Sequence, residues 1–214
     1  MLPVQEAIES TNTCRFYRTD PVSDDVLLRV LDAARYAPSG GNRQPVRFVV
    51  VRDPAKRRQL KEWYLPIWEA YAGQAKAAGT PPGARGRMLA NADHFAQHLD
   101  EVPVLLVVCA VLADVYPTDR NLGRLSIVGG ASVYPAVQNV LLKARDESLG
   151  TALTTLLCVA EPQVKELLRI PDDVATAAML TVGYPVRPFP KRLRRQPLGQ
   201  SVFAEEFGRP LAAP

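Results

Sequence analysis

Apolar residues recur at helical spacing from Val26 to Ala34: Val26, Leu27, Val30, Leu31 and Ala34 share one face. Ser23 stands before them as a capping residue. Asp24 and Asp25 follow in the first turn, where the helix dipole favours negative charge. The spacing predicts a helix reaching Tyr36 and stopping at Pro38, whose ring fixes φ and biases Ala37 toward extended geometry. A short helix is expected at Val4 to Ser10, and a β-branched strand at Val46 to Val51. Residues 54–76 read as a helix carrying Trp63, Tyr64, Trp68 and Tyr71. Gly79 to Gly86, with two prolines, reads as a loop, and Arg87 to Leu99 as a further helix.

Val102 to Val111 is expected to be a buried strand. A long helix should begin near Ser132 and run to about Glu147, with Val133, Val137, Val140 and Leu141 on its apolar face. Pro135 is tolerated there only in the first turn. Thr151 to Leu157 reads as a strand, Pro162 to Leu168 as a helix and Thr176 to Val182 as the last strand. This order argues for a mixed sheet with helices on both faces. Val186 to Pro214 is proline-rich, basic and without periodicity, so it cannot form a core of its own. It is expected to be an arm packed on another subunit.

The length, 214 residues, fits one domain. A chain of that size buries about 70% of its unfolded surface and needs no disulfide or metal staple. Its three cysteines, Cys14, Cys109 and Cys158, are far apart, with no Cys-x-x-Cys, so a zinc site is not expected. Cys109 and Cys158 sit in apolar runs and read as core fillers. Free thiols, and an N-terminus with neither a basic nor an apolar leader region, point to the cytoplasm. The run Val102 to Leu112 is too short to span a bilayer. The net charge of +4 could suggest nucleic acid. No recognition-helix or aromatic RNA-binding pattern accompanies it, and the basic residues gather at Lys56–Lys61 and Lys191–Arg195. A small anionic ligand explains the second cluster more simply.

Candidate chemistry centres on Pro38-Ser39-Gly40-Gly41-Asn42-Arg43-Gln44-Pro45. Gly40 and Gly41 permit positive φ and close approach of a ligand to the backbone. Ser39, Asn42 and Gln44 offer donors and acceptors without net charge, which suits a flat heteroaromatic ring better than a phosphate or metal. The same residues would also make an ordinary helix-to-strand loop. His94 and His98 have the i, i+4 spacing of a metal pair, but no third ligand of matching pattern accompanies them. They and Asp93 are therefore read as helix surface, and no metal is expected.

The loop resembles the flavin-ring loop of the FMN-dependent nitroreductase family, Pro-Ser-x-x-Asn-x-Gln-Pro. Four further segments agree, in the family's order. Thr11-Asn12-Thr13-Cys14-Arg15-Phe16-Tyr17, followed by Pro21-Val22, resembles its phosphate-binding entry, and Ser132 to Leu142 its central helix. Leu149 to Leu156 resembles the strand passing the flavin edge. Gly183-Tyr184-Pro185 with Arg194-Arg195-Gln196-Pro197-Leu198 is similar to its C-terminal phosphate tail. The resemblance covers nearly the whole chain except about Trp63 to Leu99.

It implies an α+β, nitroreductase-like fold: a mixed, mainly antiparallel central sheet flanked by helices, in an intertwined homodimer with a C-terminal arm and flavin at the subunit interface. It further implies FMN as cofactor and NADH or NADPH as electron donor. A nitroaromatic or quinone would be the acceptor in a ping-pong cycle, with no nucleic acid or membrane partner. By the same resemblance, Thr11, Asn12, Thr13, Arg15, Arg194 and Arg195 face the phosphate. Pro38, Ser39, Gly40, Asn42 and Gln44 reach the ring from the opposite subunit. Thr154, Thr155 and Leu156 lie at the reactive N5 edge, where a backbone N–H is the donor. Asn12 stands where the family usually has arginine, and Thr155-Leu156 where many members have glycine. Both departures bear on how tightly flavin is held. Tyr64 and Trp68 are expected in the substrate pocket, within a variable lid at about 63–100. No side-chain acid, base or nucleophile is required, since hydride transfer is the cofactor's chemistry. The alternatives are a flavin- or deazaflavin-binding protein without reductase turnover, or a specialised reaction such as dehalogenation.

Overall fold

The computed structural model describes residues 1–77, 79 and 83–211. Six helices are seen among them: α1 (Val4–Ser10), α2 (Asp24–Asp32), α3 (Pro54–Ala77), α4 (Ala84–Gln97), α5 (Tyr134–Asp146) and α6 (Glu161–Leu168). The strands are β1 (Val46–Val51), β2 (Val104–Val111), β3 (Gly150–Thr154) and β4 (Val174–Gly183). They form one sheet in the order β1-β2-β4-β3, and every pairing is antiparallel. The mixed character expected from the sequence is confined to a single parallel bridge, Thr13 to Thr151.

β2 is the keel of the sheet. Val104 to Ala110 are all buried, as a strand covered on both faces must be. Alternate residues divide between two cores. Leu106, Val108 and Ala110 join Leu27 and Val30 of α2 and Val137, Val140 and Ala144 of α5. Leu105, Val107 and Cys109 join Leu60 and Tyr64 of α3, Phe95 of α4, and Leu157, Ala160 and Val164. The helices predicted on both faces are thus present, α2 and α5 on one and α3, α4 and α6 on the other. The ladder slips between Val108 and Cys109, leaving Ala177 unpaired on β4. Tyr134 Oη donates to the Ala177 carbonyl at 3.2 Å.

Ser23 caps α2 as expected, accepting from the Val26 N–H at 3.4 Å. α2 proper ends at Asp32, and the predicted reach to Tyr36 is completed by a 3-10 turn, Ala33–Tyr36. Ala37 is extended before Pro38, with φ −73° and ψ 140°. Pro135 falls in the first turn of α5. Ser132 does not cap that helix; its hydroxyl accepts from the Gly40 N–H at 3.0 Å. α4 begins at Ala84, earlier than the sequence suggests, and residues 80–82 of the predicted loop lie outside the described residues. Two members of the basic run at Lys56–Lys61 are structural. Lys61 pairs with Asp100, and Arg57 donates to the Val102 carbonyl, tying α3 to the entrance of β2. Among the described residues no helix is long and apolar enough to cross a membrane.

Candidate active site

The N-terminal segment is fastened to β3 by its own backbone. Cys14 N–H donates to the Thr151 carbonyl at 2.8 Å, beside the Thr13–Thr151 bridge. Gly150 makes this closeness possible: a Cβ there would lie 2.7 Å from Cys14 Sγ. Beneath the segment runs a buried hydrogen-bond chain. Tyr17 O–H is 2.9 Å from the Cys14 carbonyl and 2.6 Å from Thr181 Oγ1, which accepts from the Ala152 N–H at 3.2 Å. Every group is satisfied if Tyr17 donates to Cys14 and Thr181 donates to Tyr17. Burial pushes the Tyr17 pKa well above its usual value, so it stays a neutral phenol. Burial likewise raises the Cys14 thiol, and no disulfide involves it. Tyr17 and Thr181 were not singled out by sequence reasoning. The only signal was a pair of threonines, Thr176 and Thr181, inside the otherwise apolar run of β4.

Where β3 ends, the chain leaves the sheet. The predicted strand to Leu157 is corrected here: β3 stops at Thr154, and Leu156–Ala160 is a 3-10 turn. Leu157 and Ala160 are drawn into the core beside α3, which bends the backbone away from β4. Leu156 N–H turns back onto Thr154 Oγ1 at 3.3 Å, a long bond that a better acceptor could displace. Tyr64 Oη lies 3.4 Å from the same Thr154 oxygen. Burial raises the Tyr64 pKa; the Thr154 contact and the Arg15 charge pull the other way without prevailing.

A cleft of about 310 Å3 opens over this turn. Thr13 and Arg15 line one end, Tyr64, Trp68 and Tyr71 of α3 one wall, and Thr154, Thr155 and Leu156 the floor. Five of the predicted cofactor residues and both predicted pocket residues therefore meet. Trp68 is fixed by its indole N–H, which donates to Asp93 Oδ1 at 2.7 Å. Asp93 is thus a brace between α3 and α4 rather than plain helix surface. His94 and His98 stack on each other at 4.0 Å, and His94 stacks on Phe16 at 4.5 Å, fastening α4 to the N-terminal segment. Burial, then His98, lowers the His94 pKa. No metal-binding cluster occurs among the described residues.

The remaining candidates are elsewhere. Asn12 lines a smaller hollow beside the cleft. Thr11 turns its hydroxyl back to the Ala7 carbonyl at 2.7 Å and lines neither space. Arg194 and Arg195 are exposed and line neither space; Arg195 donates to the Arg194 carbonyl. Ser39 and Gln44 line a different cavity, of about 190 Å3, with Val46, Phe48, Ser132 and Ala136. Pro38, Gly40 and Asn42 sit in the same exposed loop. Gly41 takes the positive φ expected of the glycine pair, and Gly40 does not; Asn42 (52°) and Gln44 (51°) also take it. Ser39 Oγ accepts from the Gln44 N–H at 3.0 Å, closing the turn. The cavity belongs to the α2/α5 face of the sheet and the cleft to the α3/α4 face, and they share no lining residue.

The chemistry of the cleft fits a flavin mononucleotide. It combines a part-buried guanidinium without a carboxylate partner among the described residues, a hydroxyl beside it, aromatic walls and a strand end whose Leu156 N–H holds only a long bond to Thr154. An NADH dehydrogenase from Thermus thermophilus is 28% identical over 209 residues, covering 86% of this chain and 88% of that protein. A 5,6-dimethylbenzimidazole synthase from Rhodospirillum rubrum is 31% identical over 175 residues, covering 80% and 76%. The solved structure of oxidized iodotyrosine deiodinase, bound to FMN and 3-iodo-L-tyrosine, is similar with a TM-score of 0.68 and 23% identity, covering 94% of this chain and 100% of that one. The sequence model of the nitroreductase family matches residues 8–184, most of the chain from α1 to the end of β4, and the protein belongs to that family.

Proposed function

We propose that the protein is a homodimeric FMN-dependent oxidoreductase that takes electrons from NADH or NADPH and reduces a nitroaromatic, quinone or similar acceptor. The observation that carries this reading is the cleft, where Arg15 and Thr13 meet Tyr64, Trp68 and the Thr154–Leu156 turn. FMN, when bound, supplies hydride acceptance from the nicotinamide and hydride donation to the acceptor. Arg15 and Thr13 hold its anionic end by charge-assisted hydrogen bonds. The backbone at Thr155 and Leu156 donates toward the reactive edge, and Tyr64 keeps that turn in place through Thr154. Trp68, braced by Asp93, shields one side of the cleft from water.

The separation of the Ser39–Gln44 loop from the cleft supports the dimer: a second copy can bring its loop to the cleft of the first. The names of the similar proteins support different acceptors. One is a dehydrogenase, one a synthase, and one a deiodinase bound to FMN with an iodinated amino acid. The α3–α4 wall is what would separate these reactions, because it carries the side chains facing the open side of the cleft.

The test is a visible absorption spectrum of the protein after loading with FMN and desalting, followed by NADH and NADPH oxidation with a quinone. Near-stoichiometric flavin and steady turnover are expected. Retained flavin without turnover would favour a flavin-binding role, and turnover only with a halogenated aromatic would favour dehalogenation. A colourless protein would sink the FMN assignment and leave deazaflavin as the next cofactor to load.

A further inference from the structure

Beside the cleft lies a hollow of about 130 Å3 lined by Asn12, Thr13, Arg15, Phe16, Asn91 and Arg187, among others. It shares Thr13 and Arg15 with the cleft, and no carboxylate lines it among the described residues. Neither Arg15 nor Arg187 makes a hydrogen bond or ion pair among the described residues, whereas Arg18, Arg29 and Arg145 each find a carboxylate. Arg187 is nonetheless held in place. Its guanidinium lies 4.2 Å from the centre of the Phe16 ring, and that ring also stacks on His94 of α4. A guanidinium held over a ring face by cation–π attraction leaves its N–H donors free for an oxyanion. Two unpaired guanidiniums, the Thr13 hydroxyl and the amides of Asn12 and Asn91 therefore converge on one small space.

We infer that Arg187 is a phosphate-binding residue, acting with Arg15 on a phosphate monoester seated beside the cleft. The inference rests on the proposed flavin-and-nicotinamide reading, which offers two such groups, the phosphate of FMN and the 2′-phosphate of NADPH. Arg187 adds a second cation to a hollow on which Asn12 presents only an uncharged amide, although it is distant in sequence and lies outside the Lys191–Arg195 cluster.

The test uses Arg187→Met, which keeps apolar cover over Phe16 and removes the charge, with Arg187→Lys as the charge-conserving partner. FMN and riboflavin affinities are read by flavin fluorescence, and KM is measured for NADPH and NADH. If the cofactor's phosphate is the ligand, Arg187→Met weakens FMN about tenfold or more while riboflavin is unchanged. If the donor's 2′-phosphate is the ligand, KM for NADPH rises by about the same factor and NADH is unaffected. In either case Arg187→Lys recovers part of the loss. Equal losses for FMN and riboflavin, or no change in any of the four, would overturn the inference. Titration of the flavin-free protein with inorganic phosphate separates it from the cofactor reading. Binding that Arg187→Met abolishes supports the phosphate site even in a protein that retains no FMN, and binding that survives the substitution refutes it.

Discussion

The two faces of the sheet carry two differently prepared pieces of chemistry. On the α3/α4 face, the cleft is tied internally at every level. Backbone joins Thr13–Cys14 to Thr151, Tyr17 and Thr181 close a buried chain beneath it, and Trp68 is pinned by Asp93. On the α2/α5 face, the Ser39–Gln44 loop is exposed, held by side-chain contacts to its backbone from Ser132, Ser39 and Arg47, and bent through positive φ at Gly41, Asn42 and Gln44. One region is finished within the chain; the other spends backbone strain on displaying polar groups to solvent. A four-stranded sheet with a core on each side stands between them, so no small ligand bridges them within one chain. The difference supports the proposed dimer: on that reading the cleft is the anchoring half of a site, and the loop is the half that reaches to another subunit.

Subunit exchange would break this comparison most decisively. A cleft variant, Thr13→Ala with Arg15→Ala, and a loop variant, Asn42→Ala with Gln44→Ala, should each lose tight FMN binding as homodimers. Unfolded together and refolded, they should regain it in about a quarter of the sites, because half the dimers are mixed and each mixed dimer has one intact site. Flavin retained after desalting reads this directly. No recovery would place both halves of the site in one chain.

The anchoring half can be loosened without touching a candidate ligand. Gly150→Ala places a Cβ 2.7 Å from Cys14 Sγ, 2.8 Å from Cys14 Cβ and 3.3 Å from Pro185 Cβ. The N-terminal segment must shift, at a cost of about 1–3 kcal/mol. Thermal unfolding should show that loss, and FMN affinity should fall because Thr13 and Arg15 move with the segment. Unchanged affinity at reduced stability would show that the position of this segment does not set the site.

The reaching half depends on how α2 is held against α5, and that is pH-dependent. Arg29 of α2 and Lys143 of α5 hold the Glu147 carboxyl down to about 2, against an ordinary 4.5. A carboxylate with a depressed folded pKa adds stability that is complete above its unfolded pKa and disappears as pH falls through the folded one. Between about pH 4.5 and pH 2 the protein should therefore lose on the order of 1–2 kcal/mol, once solvent screening of the part-exposed Arg29 is allowed for. Glu147→Gln should be less stable than the unmodified protein at pH 7 and nearly equal to it at pH 2. Parallel pH curves for the two proteins would assign the acid sensitivity elsewhere.

Much of this was legible in the chain, for identifiable reasons. The apolar face of α2, the continuous apolar run of β2 and the position of Pro135 each follow from local rules that tertiary contacts did not overturn. Tyr64 and Trp68 were placed near the cleft by the family resemblance, since aromatic residues at helical spacing fit core packing equally well. The end of β3 was misread because Leu156 and Leu157 look like strand residues; only the pull of the α3 core turns them away. Arg187 and the Tyr17–Thr181 chain were invisible, since each joins residues more than 160 positions apart with no shared motif. Arg194 and Arg195 sit exposed outside the cleft, which a basic-cluster argument could not foresee from composition.

The smallest expected effect isolates the strain itself. Five residues other than glycine have positive φ among those described: Asn42, Gln44, Ser148, Arg169 and Glu205. Arg169 and Ser148 have a local reason, because each follows a helix and helps to close its C-terminus. Asn42 and Gln44 close no helix of that kind; they lie in the exposed loop, where left-handed backbone costs about 1–2 kcal/mol per side-chain-bearing residue, least for asparagine. Gln44→Gly removes that cost at one position while adding the entropy penalty of glycine, so a net gain of about 0.5 kcal/mol is expected. The same change deletes the side-chain amide that contacts Asn42 Oδ1 at 3.2 Å and that the proposed site would offer to the ring. The variant should therefore melt slightly higher and bind FMN more weakly, two effects of opposite sign from one substitution. A variant that is both more stable and equally tight would show that the strain serves nothing at this site. A less stable one would show that the Gln44 side chain, rather than its backbone, is what the loop needs.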